Sequence, residues 1–338
     1  MLDQLGRPLR DLRISVTDRC NLRCPYCMPR EVFGPGFQFL ERSELLSFEE
    51  ITRVARAMAD QGVVKIRLTG GEPLLRRELE RLVEMLAVID GVAEIALTTN
   101  GLLLAAKARS LHDAGLSRVT VSLDALDRET LARMSGGAVT PERILAAIDA
   151  AAEAGLRPMK VNMVVRRGFN EHCVAAMAER FRHSGHVLRF IEYVDVGSTN
   201  GWEMRDVVAG DEILAVIQER WPLEELPPSR EGEVASRYRY SDGAGEIGLI
   251  QSVSKPFCGA CNRARLSADG RLYTCLFATT GHDVRALLRG DAEDPELDRR
   301  LREIWGGRSD RYSAERASAG AGEDGAHAAK IEMSYIGG

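Results

Sequence analysis

The sequence predicts an α/β protein in which six parallel strands alternate with helices, forming an incomplete barrel or a strongly curved open sheet. A smaller hairpin-rich layer follows. Three observations carry this reading. Six apolar runs end in polar or glycine-rich residues and are separated by helical patterns, which implies parallel pairing through crossovers. After Pro222, Pro227, Pro228 and the charged run 229–233, the pattern changes to hairpins. Six of the seven cysteines fall in two groups, Cys20, Cys24 and Cys27 near one end and Cys258, Cys261 and Cys275 near the other.

Residues 11–16 alternate apolar and polar and run straight into the first cysteine group. Residues 31–46 are irregular around Gly34, Pro35 and Gly36. Ser47 opens a helix with Glu50 as its capping-box partner, and Ile51, Val54, Ala55 and Met58 recur at helical spacing. The strand 63–68 ends at Thr69-Gly70-Gly71-Glu72-Pro73 and precedes a helix over about 76–88. The strand 94–97 ends at 98–101, and 118–121 ends at Ser122-Leu123-Asp124, with helices to about 154. The strand 159–165 ends at 166–168 before a helix from Asn170, and 187–191 ends at 192–195. In such sheets ligands gather at the C-terminal ends of strands.

Beyond the proline boundary, 236–240 and 247–252 flank Asp242-Gly243, while 263–267 and 271–276 flank Asp269-Gly270. Residues 313–329 are rich in Ala and Gly and read as mobile. The end, 330–338, regains apolar character and finishes in two glycines, read from the residues alone as a frayed tail. The expected division is therefore 1–225, 226–312 and a tail 313–338.

A chain of 338 residues suits one large α/β domain with an appendage, or two domains. A net charge of −5 and pI near 5.8 argue against a nucleic-acid binder, so any anionic ligand needs a local basic cluster. There is no long apolar run for a membrane span and no apolar signal core at the N-terminus, so a cytoplasmic location follows. In a reducing compartment, clustered cysteines mean metal or catalysis rather than disulfides.

Thiolates suit zinc or iron–sulfur clusters. A structural zinc site needs four ligands, and each group here supplies three, which leaves a metal position open for chemistry. Scattered core thiols would not cluster so tightly beside Asn, Arg and Pro. For the second group alone, zinc or a structural role stays open. Gly70 and Gly71 let a ligand approach the backbone, or simply make a tight turn. Arg13 precedes the first cysteines; Lys65 and Arg67 share strand parity; Lys160, Arg189, Arg263 and Arg265 recur on later strands. Cations lining a barrel interior are costly unless they meet an anion, and a polyanionic small molecule explains most of the set. Cys173 reads as packing, and the six histidines show no ligand spacing.

The C-x-x-x-C-x-x-C of Cys20, Cys24 and Cys27, followed by Gly70-Gly71-Glu72-Pro73, resembles the radical S-adenosylmethionine (SAM) superfamily. Cys258 and Cys261, thirteen further residues, Cys275, the run Asn262-Arg263-Ala264-Arg265 and the diglycine end resemble the GTP 3′,8-cyclase family of molybdenum cofactor biosynthesis. The resemblance covers about residues 7 to 338. It implies a partial (β/α)6 TIM-like radical SAM barrel whose mouth is closed by a small C-terminal β-rich/α layer. It implies two [4Fe-4S] clusters, one on Cys20, Cys24 and Cys27 and one on Cys258, Cys261 and Cys275. Tyr26, Gly71, Ser122 and Val194 match SAM-contacting positions, with Val194 standing where the family usually has a methionine. Arg13, Arg67, Thr98, Lys160, Arg263, Ala264 and Arg265 match GTP-contacting positions, with Lys65 and Arg189 as weaker candidates.

The implied reaction makes (8S)-3′,8-cyclo-7,8-dihydroguanosine 5′-triphosphate. A 5′-deoxyadenosyl radical takes the C3′ hydrogen of GTP, and the carbon radical attacks C8. No side chain is assigned as a catalytic residue in its own right. The family's product passes to cyclic pyranopterin monophosphate synthase, and a reductant such as flavodoxin or ferredoxin supplies electrons to a monomer or homodimer. The diglycine end is implied to enter the barrel beside the second cluster. The competing readings are a peptide-modifying radical SAM maturase, which generally carries more C-terminal cysteines, and a non-catalytic iron–sulfur electron carrier, which leaves the cations without purpose.

Overall fold

A computed structural model describes residues 1–290, 293–319 and 329–337. Alternation of apolar and polar side chains produces six parallel strands: β1 (Asp11–Ser15), β2 (Lys65–Thr69), β3 (Glu94–Thr99), β4 (Arg118–Ser122), β5 (Lys160–Val165) and β6 (Val187–Glu192). Between them run α1 (Phe48–Asp60), α2 (Leu79–Ala87), α3 (Leu104–Asp113), α4 (Arg128–Ser135), α5 (Pro141–Glu153) and α6 (Val174–Phe181). The capping box at α1 forms as the sequence predicts. The Ser47 hydroxyl accepts the Glu50 N–H at 3.1 Å, and the Glu50 carboxylate accepts the Ser47 N–H at 2.6 Å.

The remainder comprises α7 (Gly210–Gln218), strands β7 (Leu223–Leu226), β8 (Ser236–Tyr240), β9 (Glu246–Ile250), β10 (Arg263–Leu266), β11 (Arg271–Tyr273) and β12 (His282–Asp283), then α8 (Arg285–Arg289), α9 (Asp294–Gly306), α10 (Tyr312–Ala319) and α11 (Met333–Ile336). Both expected hairpins form. They do not stand apart from the barrel sheet, because β10 pairs in parallel with β1 and β9 in parallel with β6. One sheet of twelve strands results, in the order β12-β11-β10-β1-β2-β3-β4-β5-β6-β9-β8-β7. Its two edges are β12 and β7, so the barrel is open among the described residues.

Register explains how the two faces differ. Leu12, Ile14, Ile66, Leu68, Ile95, Leu97, Val119, Val121, Val161, Met163, Leu188, Phe190, Ala264 and Leu266 belong to the buried apolar core. Each large aliphatic side chain buried this way contributes about 1.5–3 kcal/mol. The alternate residues face inward. Asp11 lies level with Lys65 and Arg263, and Arg13 level with Arg67 and Arg265. The parallel strands stack these into two charged rows inside the curve of the sheet.

Candidate functional site

The first cysteine group occupies the loop after β1, at the C-terminal end of the parallel strands. Its turn is closed by the N–H groups of Cys27 and Met28 donating to the Cys24 carbonyl at 3.0 and 2.8 Å. The Gly70-Gly71 turn holds this loop. Gly71 N–H donates to Thr17 O and Glu72 N–H to Arg19 O, both at 2.8 Å. A side chain at Gly71 would collide with the Arg19 carbonyl, so glycine is required by this backbone approach. Glu72 is buried and accepts from Leu74 N–H at 3.0 Å, from the Thr99 hydroxyl at 2.8 Å and from Asn100 N–H at 2.8 Å. It ties the tips of β2 and β3 together, and burial pushes its carboxyl above the usual range. The Tyr26 hydroxyl donates to Asp124 at 2.8 Å, and burial lifts Asp124 to about 6. Burial raises the thiol of Cys20 to about 11, and those of Cys24 and Cys27 upward as well.

The second group lies at the opposite end of the strands. Cys258 and Cys261 precede β10, which runs parallel to β1, and Cys275 follows β11, which returns antiparallel to β10. The expectation that ligand-binding groups gather at C-terminal strand ends therefore holds for the first group and not the second. The reason is that the second group rides on strands added to the barrel edge, entering from the other end. Burial alone would raise the Cys261 thiol, but the charges of Arg263 and Arg308 outweigh it and bring it down to about 6. Burial takes Cys275 up to about 11.

A cavity of about 560 Å³ connects the two ends, and all six cysteines line it. So do Tyr26, Gly71, Ser122, Val194, Arg13, Arg67, Thr98, Lys160, Arg263 and Arg265. Ala264 is the exception, since its side chain lies in the apolar core behind β10 and could offer only backbone to a ligand. Cations dominate the middle. Arg67 donates to the Thr98 and Thr120 hydroxyls at 3.1 and 3.2 Å, and Arg189 to Asn162 at 3.0 Å. Lys65 pairs with Glu94 at 2.7 Å. Burial, reinforced by neighbouring arginines, pulls Lys65 and Lys160 down to about 7. The Nε atoms of Arg13, Arg67 and Arg265 are buried without a hydrogen-bond partner, a costly arrangement that an anionic ligand would relieve.

The donor chemistry is consistent with clusters rather than single ions. In neither cysteine group do all three sulfurs lie within 4.8 Å of one another, whereas three thiolates on one zinc would. Among the described residues the trio that does meet this spacing is Asp127, His172 and Cys173. There Asp127 caps α4 through Thr130 N–H at 2.7 Å and accepts the Cys173 thiol at 3.5 Å, in keeping with a packing role for Cys173.

Several site residues escaped the sequence reading. Arg308 donates to the Cys261 sulfur at 3.1 Å and carbonyl at 2.7 Å, and Arg7 to the Cys258 carbonyl at 3.0 Å. Neither carries a sequence signal, because both reach the site from distant chain segments. The charged run around Arg230, Glu231 and Glu233 had a signal, read as a boundary, yet these residues line the cavity. Gly232 sits so close to Asn262 and the Ala260 carbonyl that a side chain would collide.

The tail is docked over 329–337. Lys330 pairs with Asp195 at 2.7 Å, and Glu332 accepts from Ser198 N–H at 2.9 Å and the Thr199 hydroxyl at 3.1 Å. Met333 lines the cavity, Ile336 is buried, and Gly337, at φ 78°, packs on Thr69 and Ser15. Thr69 and Ser15 end β2 and β1, so Gly337 lies at the first group's end of the strands and not beside the second. The anchors on Asp195 and on 197–199, beyond β6, direct it there. Residues 313–319 belong to α10, while 320–328 and Gly338 lie outside the described residues.

Comparison with known proteins covers both parts of the chain that carry cysteine groups. A model of the Radical SAM superfamily matches residues 14–181, and one described as Molybdenum Cofactor Synthesis C matches 186–314. A GTP 3′,8-cyclase of Acidothermus cellulolyticus is 55% identical, over 99% of this chain and 98% of the relative. One from Staphylococcus carnosus is 48% identical over the same shares. Among solved structures, Streptococcus suis SuiB bound to S-adenosylmethionine aligns with TM-score 0.62 at 14% identity, over 92% of this chain and 68% of that one, a likeness of fold. The two matched models, the near full-length relatives and the six cysteines on one cavity converge: the chain belongs to the radical SAM superfamily and, within it, to the GTP 3′,8-cyclase family.

Proposed function

We propose that this chain converts GTP to (8S)-3′,8-cyclo-7,8-dihydroguanosine 5′-triphosphate in molybdenum cofactor biosynthesis. The observation that carries the reading is a single cavity with three thiols at each end and cationic walls between them. Cys20, Cys24 and Cys27 would hold one [4Fe-4S] cluster, and Cys258, Cys261 and Cys275 the other. The residues fit these groups. Each set offers three soft donors, and the first set's thiols, raised by burial, need a bound cation before they ionise. When bound, the first cluster and S-adenosylmethionine supply a one-electron cleavage that yields the radical for hydrogen abstraction from the ribose.

The chain's own residues bind and orient. Tyr26, Gly71, Ser122 and Val194 line the first group's end and would contact S-adenosylmethionine, Val194 as an apolar wall without a thioether. Arg13, Arg67, Lys160, Arg263 and Arg265, with Thr98 and the backbone of Ala264, would hold GTP. Arginine forks suit phosphates, and the orphaned Nε atoms of Arg13, Arg67 and Arg265 would find acceptors there. The docked tail and the Arg230–Glu233 run would shield the cavity from water at its two ends, as radical chemistry requires. The division of the chain at 1–225, 226–312 and 313–338 would put the first cysteine group on one segment and the second on the next, with 329–337 of the tail closing the first group's end. We further infer a cytoplasmic monomer or homodimer, reduced by a flavodoxin or ferredoxin, that supplies cyclic pyranopterin monophosphate synthase. Among the described residues no helix is long and apolar enough to cross a membrane.

The test is an anaerobic assay of reconstituted protein with S-adenosylmethionine, reductant and GTP deuterated at C3′. Deuterium in 5′-deoxyadenosine together with a cyclised nucleotide is the expected result. Cofactor cleavage without deuterium transfer would move the substrate elsewhere, most readily to a peptide.

A further inference from the structure

We propose that Arg308 is a positioning residue for the second cysteine group and that its guanidinium sets the redox equilibrium of the cluster held there. The proposal rests on the reading that Cys258, Cys261 and Cys275 hold an iron–sulfur cluster. Arg308 follows α9, and its side chain is 1% exposed. Its Nη2 donates to the Cys261 sulfur at 3.1 Å, and Arg263 Nη2 donates to the same sulfur, also at 3.1 Å. Among the described residues, neither the Cys258 nor the Cys275 sulfur receives a guanidinium hydrogen bond. The hydrogen bonding is therefore lopsided, with both guanidinium donors on the Cys261 sulfur.

The two arginines differ in how they are held. Arg263 lines the cavity among the residues proposed to hold GTP. Arg308 is locked from behind. Its Nε lies 3.2 and 3.3 Å from the Asp310 carboxylate oxygens, its Nη1 lies 3.6 Å from Asp3, and its guanidinium stacks on Trp305 at 4.6 Å. Asp3 in turn pairs with Arg7 at 2.6 Å. A donor fixed this firmly cannot turn away when the charge on the sulfur changes. Hydrogen bonds to cluster sulfurs stabilise the reduced, more negative state and raise the potential, and a buried site amplifies the effect.

The test uses the full chain with Cys20, Cys24 and Cys27 replaced by alanine, so that one cluster remains. Arginine, lysine and methionine at position 308 are compared after anaerobic reconstitution, by iron and sulfide content and by a redox titration followed by electron paramagnetic resonance. All three are expected to load. At fixed potential the reduced-to-oxidised ratio should fall about tenfold in Arg308→Met, a shift of about 59 mV to more negative values for one electron. Arg308→Lys, which keeps the charge without the fixed fork, should fall less. An unmoved midpoint in loaded Arg308→Met overturns the proposal. So does loss of the cluster from both variants, which would make Arg308 an anchor only. A parent protein that binds no cluster removes the underlying reading and the proposal with it.

Discussion

The two cysteine groups offer the same three donors in opposite surroundings. The first is a local construction. Its thiols are raised by burial, its turn is closed by its own backbone and by Arg23, which donates to the Cys20 carbonyl at 2.8 Å, and the buried acids Glu72 and Asp124 lie beside it. The second is assembled from afar. Arg7, Arg263 and Arg308 converge on it from residues up to 301 positions apart, and one of its thiols is drawn down to about 6. The difference teaches that ligand spacing reports where a metal group can be held. The electrostatics around it depends on which distant strands and helix ends arrive. Buried acids beside the first group would suit a cationic sulfonium cofactor, and guanidinium groups beside the second would suit a polyphosphate.

The sharpest way to break this contrast is to empty each site in turn. Alanine at Cys20, Cys24 and Cys27 should abolish both cofactor cleavage and GTP conversion, to below about one thousandth of wild type. Alanine at Cys258, Cys261 and Cys275 should abolish GTP conversion equally while cofactor cleavage persists. Mass spectrometry of 5′-deoxyadenosine and nucleotide products separates the two, and equal loss of cleavage in both would erase the division of labour. Next in size, Arg263→Ala or Arg265→Ala should cut GTP turnover about a hundredfold, because losing one side of a buried charge contact costs about 2–5 kcal/mol. Uncoupled cofactor cleavage should survive in part, and wild-type turnover would remove these residues from the site.

The cationic middle makes a pH prediction. Lys65 and Lys160 sit near 7 in the folded chain, against 10.5 unfolded, because burial and neighbouring arginines disfavour their charge. Folding therefore releases protons between these values. The two lysines destabilise the free protein fully below about pH 7, and the penalty fades as pH rises toward 10.5. A bound polyphosphate should restore their charge. Titration calorimetry in buffers of different ionisation enthalpy should then show GTP binding with proton uptake at pH 8 and almost none at pH 6. Uptake that is absent at pH 8 would place the phosphates elsewhere. The smallest effect belongs to the first site. Tyr26→Phe removes one hydrogen bond, to Asp124, and should weaken S-adenosylmethionine binding about five- to tenfold in equilibrium dialysis, leaving GTP affinity unchanged.

What could be read from the chain follows the same divide. Parallel strands, both hairpins and the α1 cap rest on local patterns, and the cation rows follow from strand parity once neighbours are in register. The sequence could not say which strands become neighbours at the sheet edges, since β10 meets β1 across some 250 residues of chain. That pairing puts the second cysteine group at the opposite end from the first and brings Arg308 and Arg7 to it. Arg230 and Glu233 were visible as a charged run, but a solvated linker and a cavity wall have the same composition. The residues alone read the tail as frayed, and the resemblance docked it beside the second group; its actual place was hidden because Lys330 and Glu332 find their partners only after β6 has delivered Asp195 and 197–199.

The pairing of β10 with β1 also has a consequence for biosynthesis. Until residue 266 has left the ribosome, β1 has an unpaired edge and its row of backbone N–H and C=O groups is open to other chains. Nine strands of the sheet, β1 to β9, can assemble first, but the nascent intermediate carries the first cysteine loop and an exposed seam. Closing that seam joins the chain's beginning to its far end, a high-contact-order step that folds slowly and favours aggregation if delayed. Expression yield should therefore depend on temperature and chaperone supply even where iron and sulfide are plentiful.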